Sequence, residues 1–101
     1  MSAVDRIREV GIVPVVRATS AAEALEAVEA IREGGIPILE ITLTVPGAVQ
    51  IIAALTSRFS DDTLIGAGTV LDADSAQACI DAGARFIDFI NSVGYYVGNE
   101  A

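Results

Sequence analysis

The 101-residue chain contains no lysine and no histidine, so none of its side chains can act as an amine nucleophile or an imidazole base. All six basic residues are arginine: Arg6, Arg8, Arg17, Arg32, Arg58 and Arg85. They form no cluster, and the net charge is -8, which excludes nucleic acid and anionic membrane surfaces as natural partners. A single cysteine, Cys79, rules out an internal disulfide and suits a reducing compartment. No apolar run approaches the length of a membrane span, and the N-terminus lacks the charged-then-apolar pattern of a secretory signal. The expectation is a soluble, cytoplasmic protein. With only three prolines, 52% hydrophobic and 20% charged residues, the chain should pack rather than remain disordered. Its length allows one domain, with room for a core but not for a complete parallel barrel.

What the chain does have is an apolar, β-branched stretch interrupted by one carboxylate. Gly34 to Pro46 reads GGIPILEITLTVP, the pattern of a strand buried on both faces, with Glu40 at its centre. Alternation puts Ile36, Ile38, Glu40, Thr42 and Thr44 on one face and Leu39, Ile41 and Leu43 on the other. Two readings of Glu40 stand side by side. It is a structural acid paired with an arginine on a neighbouring strand, or a general acid/base near the C-terminal end of a parallel strand, where α/β folds keep their chemistry. The second is favoured because an unpaired buried carboxylate is costly and active sites are where that cost is tolerated.

In chain order, Ser2 and Asp5 form a capping box for a short helix through Val4, Ile7 and Val10, closed by Gly11, that plugs or flanks the first strand. Ile12 to Arg17, IVPVVR, is that strand, and Arg17 at its end is either a solvated arginine or an anion ligand. Ser20 with Glu23 caps a helix whose Ala24, Leu25, Val28 and Ile31 face a sheet, while its glutamates face water. Pro46 opens a second helix with Val49, Ile52, Leu55 and Phe59 inward. Leu64 to Val70, LIGAGTV, is a strand whose two glycines imply close backbone approach. It lacks the last glycine and the following acid of a dinucleotide site, but Thr69 and nearby N–H groups could receive a small anion. Asp72 or Asp74 caps a third helix in which Cys79 is a small core residue, and Arg85 to Ile90 is the fourth strand.

A faint internal repeat sets Ile31 on Ile80, Gly34 on Gly83 and Ile41 on Ile90, which favours repeated αβ units. It places Phe89 in the role of Glu40 and Asp88 on the helix-facing side. The last stretch, NSVGYYVGNEA, alternates in a way that allows a short strand or an extended tail, and Tyr95 and Tyr96 read as packing or interface residues.

Taken together, IVPVVR, EGGIPILEITLTVP and LIGAGTVLDADSAQACIDAGARFI resemble the N-terminal half of the 2-keto-3-deoxy-6-phosphogluconate / 4-hydroxy-2-oxoglutarate aldolases, to about Ile87. The resemblance implies a single-domain (βα)8 barrel, usually trimeric, that cleaves a 2-keto acid to pyruvate and an aldehyde through a lysine Schiff base, with no metal and no other cofactor. It implies that Glu40 shuttles protons to and from the enamine carbon and attacking water. Arg17 then matches an arginine that in some members binds the pyruvate carboxylate, and Thr69 a threonine lining the same pocket. Thr44 stands where some members carry an arginine, which leaves Arg17 as the only carboxylate clamp.

The departure comes at the fourth strand. Family members follow it with a Ser-Pro pair and later supply the lysine and phosphate loops; this chain reads DFINSVGYYVGNEA. The expectation is therefore an α/β half-barrel over residues 1–90, a parallel sheet of four βα-type units, with a divergent tail over 91–101. Such a unit is expected to be inactive alone, and either to close by homo-oligomerisation through its open sheet edges, to open into a flavodoxin-like sheet, or to serve as half of a split enzyme whose lysine another chain supplies. A weaker reading is a small keto-acid or phosphate binding module.

Overall fold

The computed structural model describes residues 2–89 and the backbone of residues 95–96. The rest of the expected tail, residues 91–94 and 97–101, lies outside the described residues. Elements alternate: α1 (Ala3–Val10), β1 (Val15–Val16), α2 (Ala21–Glu33), β2 (Ile38–Thr42), α3 (Ala48–Phe59), β3 (Leu64–Val70), α4 (Ala73–Asp81), β4 (Ile87–Phe89) and β5 (Tyr95–Tyr96). The sheet runs in sequence order from β1 to β5, with β1 to β4 parallel and β5 antiparallel beside β4. This is the expected parallel sheet of βα units, with one short antiparallel strand added at its edge.

Local chemistry accounts for the element ends. Ser2 accepts a hydrogen bond from the Asp5 N–H while Asp5 accepts one from the Ser2 N–H, so the first capping box is complete. Ser20 caps α2 through the Glu23 N–H, but the Glu23 carboxylate accepts from Thr19 instead of reaching back. Asp72, not Asp74, caps α4. The helix expected from Pro46, α3, starts later than that, because Val45-Pro46-Gly47-Ala48 forms a turn closed by the Ala48 N–H on the Val45 carbonyl at 3.1 Å. Gly47 at φ 70°, ψ 27° after a proline gives this turn type II geometry. Two strands are shorter than expected. Pro14, which has no N–H to give, accepts from the Glu40 N–H through its carbonyl, and only Val15–Val16 is strand; β4 begins at Ile87, after Arg85 has donated its N–H to Ile65.

The sheet separates two apolar clusters. On its outer side Leu39, Ile41, Ile65, Ala67 and Ile87 pack against Ala24 and Val28 of α2, Ile52 and Leu55 of α3, and Cys79 of α4. Burial raises the proton affinity of the Cys79 thiol, in keeping with a core residue. On the inner side, at the N-terminal ends of the strands, Ile38, Leu64 and Phe86 meet Ala3, Ile7 and Val10, so α1 is the plug of the half-barrel. Arg32 fastens the same end from outside. It forms an ion pair with Asp62 at 3.1 Å, donates to Thr63 and lies 3.7 Å over the Phe59 ring.

One connection is sharply constrained. Gly83, between α4 and β4, has φ 110°, and a Cβ there would stand 2.6 Å from Thr56 Oγ1, whose hydroxyl already donates to the Ala82 carbonyl at 2.8 Å. Backbone strain and crowding act together, so Gly83→Ala should lower unfolding stability by about 2 kcal/mol. A urea midpoint unchanged from the parent chain would show that the loop relaxes freely.

Candidate functional site

The first three strands carry the three residues singled out by sequence. Arg17 directly follows β1 and Thr69 is the penultimate residue of β3, both at the C-terminal ends of parallel strands, while Glu40 lies at the middle of β2, between them in the sheet. Ile38 packs in the inner cluster while Leu39 and Ile41 pack in the outer one, so the alternation expected for β2 holds and Glu40 projects inward.

Glu40 is only 3% exposed. Its burial, followed by the neighbouring Asp88 carboxyl through charge and hydrogen bonding, raises its pKa to about 7, and the Arg17 guanidinium only partly opposes the rise. Among the described residues Arg32–Asp62 is the only ion pair, and Arg17, at the end of the neighbouring strand, acts on Glu40 through its charge. Space for its carboxyl comes from β3. A Cβ on Gly68 would lie 3.1 Å from Glu40 Cδ and closer still to Oε1. The close backbone approach implied by LIGAGTV is thus an approach of side chains from both neighbouring strands: Gly66 makes room for the Phe86 ring and Gly68 for Glu40.

Asp88 corrects the internal repeat. The repeat put it on the helix-facing side, with Phe89 in the place of Glu40. In the structure Asp88 interacts with Glu40 and Phe89 packs against the outer cluster. Ala67 pairs with Ile87, and Phe86 and Asp88 on either side of Ile87 share the inner face. The repeat is off by a residue because β4 is short and its register with β3 shifts between Ala67 and Val70. The alternation of Phe86 with Asp88 in RFIDF was the sequence signal that could have found it.

Thr69 lies within that irregularity and has φ 56°, an uncommon conformation for a β-branched residue. Arg17 is exposed and lines an open groove with Ala18, Thr19, Glu23, Thr44 and Pro46. Glu40 is not among the groove's lining residues; it sits deeper, on the inner face. Thr42, fully buried, ties the strand ends together: its hydroxyl donates to the Val16 carbonyl at 3.3 Å and stands 2.7 Å from the Thr44 hydroxyl. With Thr42's only proton committed to Val16, Thr44 donates to Thr42. Among the described residues no group of three or more His, Cys, Asp or Glu side chains is arranged to hold a metal ion.

The sequence pattern of the family "Aldolase: KDPG and KHG aldolase" matches residues 4–92. This chain belongs to that family. The 2-dehydro-3-deoxy-phosphogluconate aldolase of Treponema pallidum is 36% identical over 83 residues, which cover 82% of this chain and 39% of that protein. The Pseudomonas aeruginosa protein of the same name is 38% identical over 80 residues, covering 79% of this chain and 36% of the relative. The 2-keto-3-deoxy-6-phosphogluconate aldolase of Zymomonas mobilis superposes with a TM-score of 0.72 at 30% identity, over 86% of this chain and 41% of that structure. The KDPG aldolase of Legionella pneumophila, whose structure holds pyruvate captured at low pH as a covalent carbinolamine intermediate, superposes with a TM-score of 0.66 at 40% identity, over 74% of this chain and 36% of that structure. The chain thus spans about two fifths of the length of these KDPG aldolases. No helix among the described residues is long and apolar enough to cross a membrane.

Proposed function

We propose that residues 1–90 supply the acid/base half of a pyruvate-dependent aldolase site, with residues 91–101 a separate tail. The observation that carries this reading is Glu40: a buried carboxyl at the centre of β2, on the inner face of a parallel sheet, with its pKa raised to about 7. A carboxyl poised near neutrality both gives and takes a proton readily, which is what interconversion of an enamine and a ketimine demands. Arg17, exposed at the rim beside Thr19 and Thr44, is the candidate clamp for a 2-keto acid's carboxylate, and Thr69 a contact for the same ligand. The substrate class is a 2-keto acid cleaved to pyruvate and an aldehyde, and the compartment is the cytoplasm.

The covalent step is a different matter. Schiff-base chemistry needs a lysine, and these 101 residues contain none. The amine must come from outside them, and the isolated chain should not cleave C–C bonds. Incubation with pyruvate and borohydride, followed by peptide mapping, checks this. No side-chain adduct should form on the chain alone, whereas an added lysine-bearing C-terminal half from a relative should become labelled, and less so when this chain carries Glu40→Gln. Aldol cleavage by the chain as the only protein present would overturn the proposal.

Self-association is the second reading, and the free edge of the sheet favours it. Val15 of β1 is 49% exposed and Ile12, just before it, is 55% exposed, on a strand with no neighbour on its outer side among the described residues. A second copy paired along β1 would cover both, and sedimentation at micromolar concentration would then give a dimer; a compact monomer would dismiss this reading.

A further inference from the structure

The mechanism above uses Glu40 but assigns nothing to Asp88, the second carboxyl of the inner face. Their placement follows from three strands in a row. β2 presents Glu40, β3 presents Gly68 with no side chain, and β4 presents Asp88. Thr42 is in register with Gly68, one inward position beyond Glu40, and the Glu40 carboxyl occupies the space over Gly68 that a Cβ would fill. Glu40 therefore leans across β3 toward β4, whose inward residue beside Gly68 is Asp88, since Ile87 and Phe89 on either side of it pack with the outer cluster. Any larger residue at position 68 would stand between the two.

We infer that Asp88 is a positioning residue for the Glu40 proton, its carboxyl reached across the gap at Gly68 so that the two groups hold one proton between them. Two like carboxyls set side by side, one of them buried, repel when both are ionised, and a shared proton removes that repulsion. The proton then has a fixed location on the inner face, held between Glu40 and Asp88. The inference rests on Glu40 being the acid/base of the site, and gives that residue a partner that keeps its proton in place until substrate arrives. A shared proton also leaves the pair with a single negative charge, which lowers the repulsion met by an anionic keto acid. Arg17, at the end of β1, is the other charged group acting on Glu40, and it acts in the opposite direction.

The test is a carbon-13 NMR titration of the Glu40 carboxyl carbon in the full chain, assigned by its absence in Glu40→Gln. In Asp88→Asn, close in size but unable to ionise, the Glu40 midpoint should fall by roughly one pH unit. Asp88→Ser provides a second reading if the asparagine variant does not fold, and it should move the midpoint the same way. A merely structural Asp88 would alter stability without moving the midpoint. A midpoint unchanged in a folded variant overturns the inference. This readout needs neither substrate nor lysine, so it fails or succeeds independently of the borohydride experiment.

Discussion

Replacing Glu40 by glutamine will make the folded chain more stable above neutral pH, and the gain will disappear on acidification. An unfolded glutamate titrates at 4.5, whereas Glu40 in the fold titrates at about 7. Below the lower value both states hold the proton and the residue contributes no pH dependence. Between the two, the folded chain keeps a proton that the unfolded chain has released, so stability falls as pH rises; above the upper value the loss is complete and constant. The interval corresponds to about 3 kcal/mol at most. Asp5, Asp62 and Asp72, whose pKa values are lowered by hydrogen bonds within their turns and caps, act in the opposite direction at more acidic pH. They are common to both chains and cancel in the difference. Urea unfolding of parent and Glu40→Gln at pH 4.5 and pH 8 should give a difference that grows in the variant's favour toward pH 8. Parallel profiles would show that Glu40 is not held protonated by the fold and would remove the basis of its acid/base role.

Much of this arrangement was legible in the chain because the signals that set it are local. Alternation within ILEIT determines which way Glu40 points, since neighbouring strand residues face opposite sides whatever lies around them. Ser2, Ser20 and Asp72 cap their helices through N–H groups three residues on, a contact that short sequence patterns carry. What escaped was register between strands. The position of Asp88 depends on how β4 lies against β3, and the irregularity at Thr69 is a property of that pair and of neither strand alone. The internal repeat transferred a long strand's phase to a strand of three residues and so misplaced its face. The extents of β1 and β4 were overestimated for a related reason: IVPVVR and RFIDFI look like strands to their ends, but strand length is decided by which backbone groups find partners. Gly66 and Gly68 were recognisable as sites of close approach, yet their occupants came from strands on opposite sides of β3.

Gly66 supports the second large expectation, because it and Phe86 fill the same volume. Phe86 is 1% exposed at the centre of the inner plug with Ile38 and Leu64, and truncating it to alanine should cost about 3–5 kcal/mol through lost burial and the cavity left behind. Gly66→Ala acts from the other side. Its Cβ would overlap three carbons of the Phe86 ring, and the ring has little freedom to retreat. The Phe86 carbonyl accepts from the Ala67 N–H at 3.0 Å, the adjacent Arg85 N–H donates to Ile65 at 2.8 Å, and α1 closes the far side. Overpacking of that kind should cost about 2–3 kcal/mol. In the double variant the two faults partly cancel, since the new methyl enters space the ring has vacated. The cycle should therefore give a loss smaller than the sum of the single losses by about 2 kcal/mol, far outside the scatter of independent sites. Simple additivity in chemical denaturation would mean that Phe86 does not lie over Gly66, and with it would go the register that places Asp88, two residues on within β4, beside Glu40.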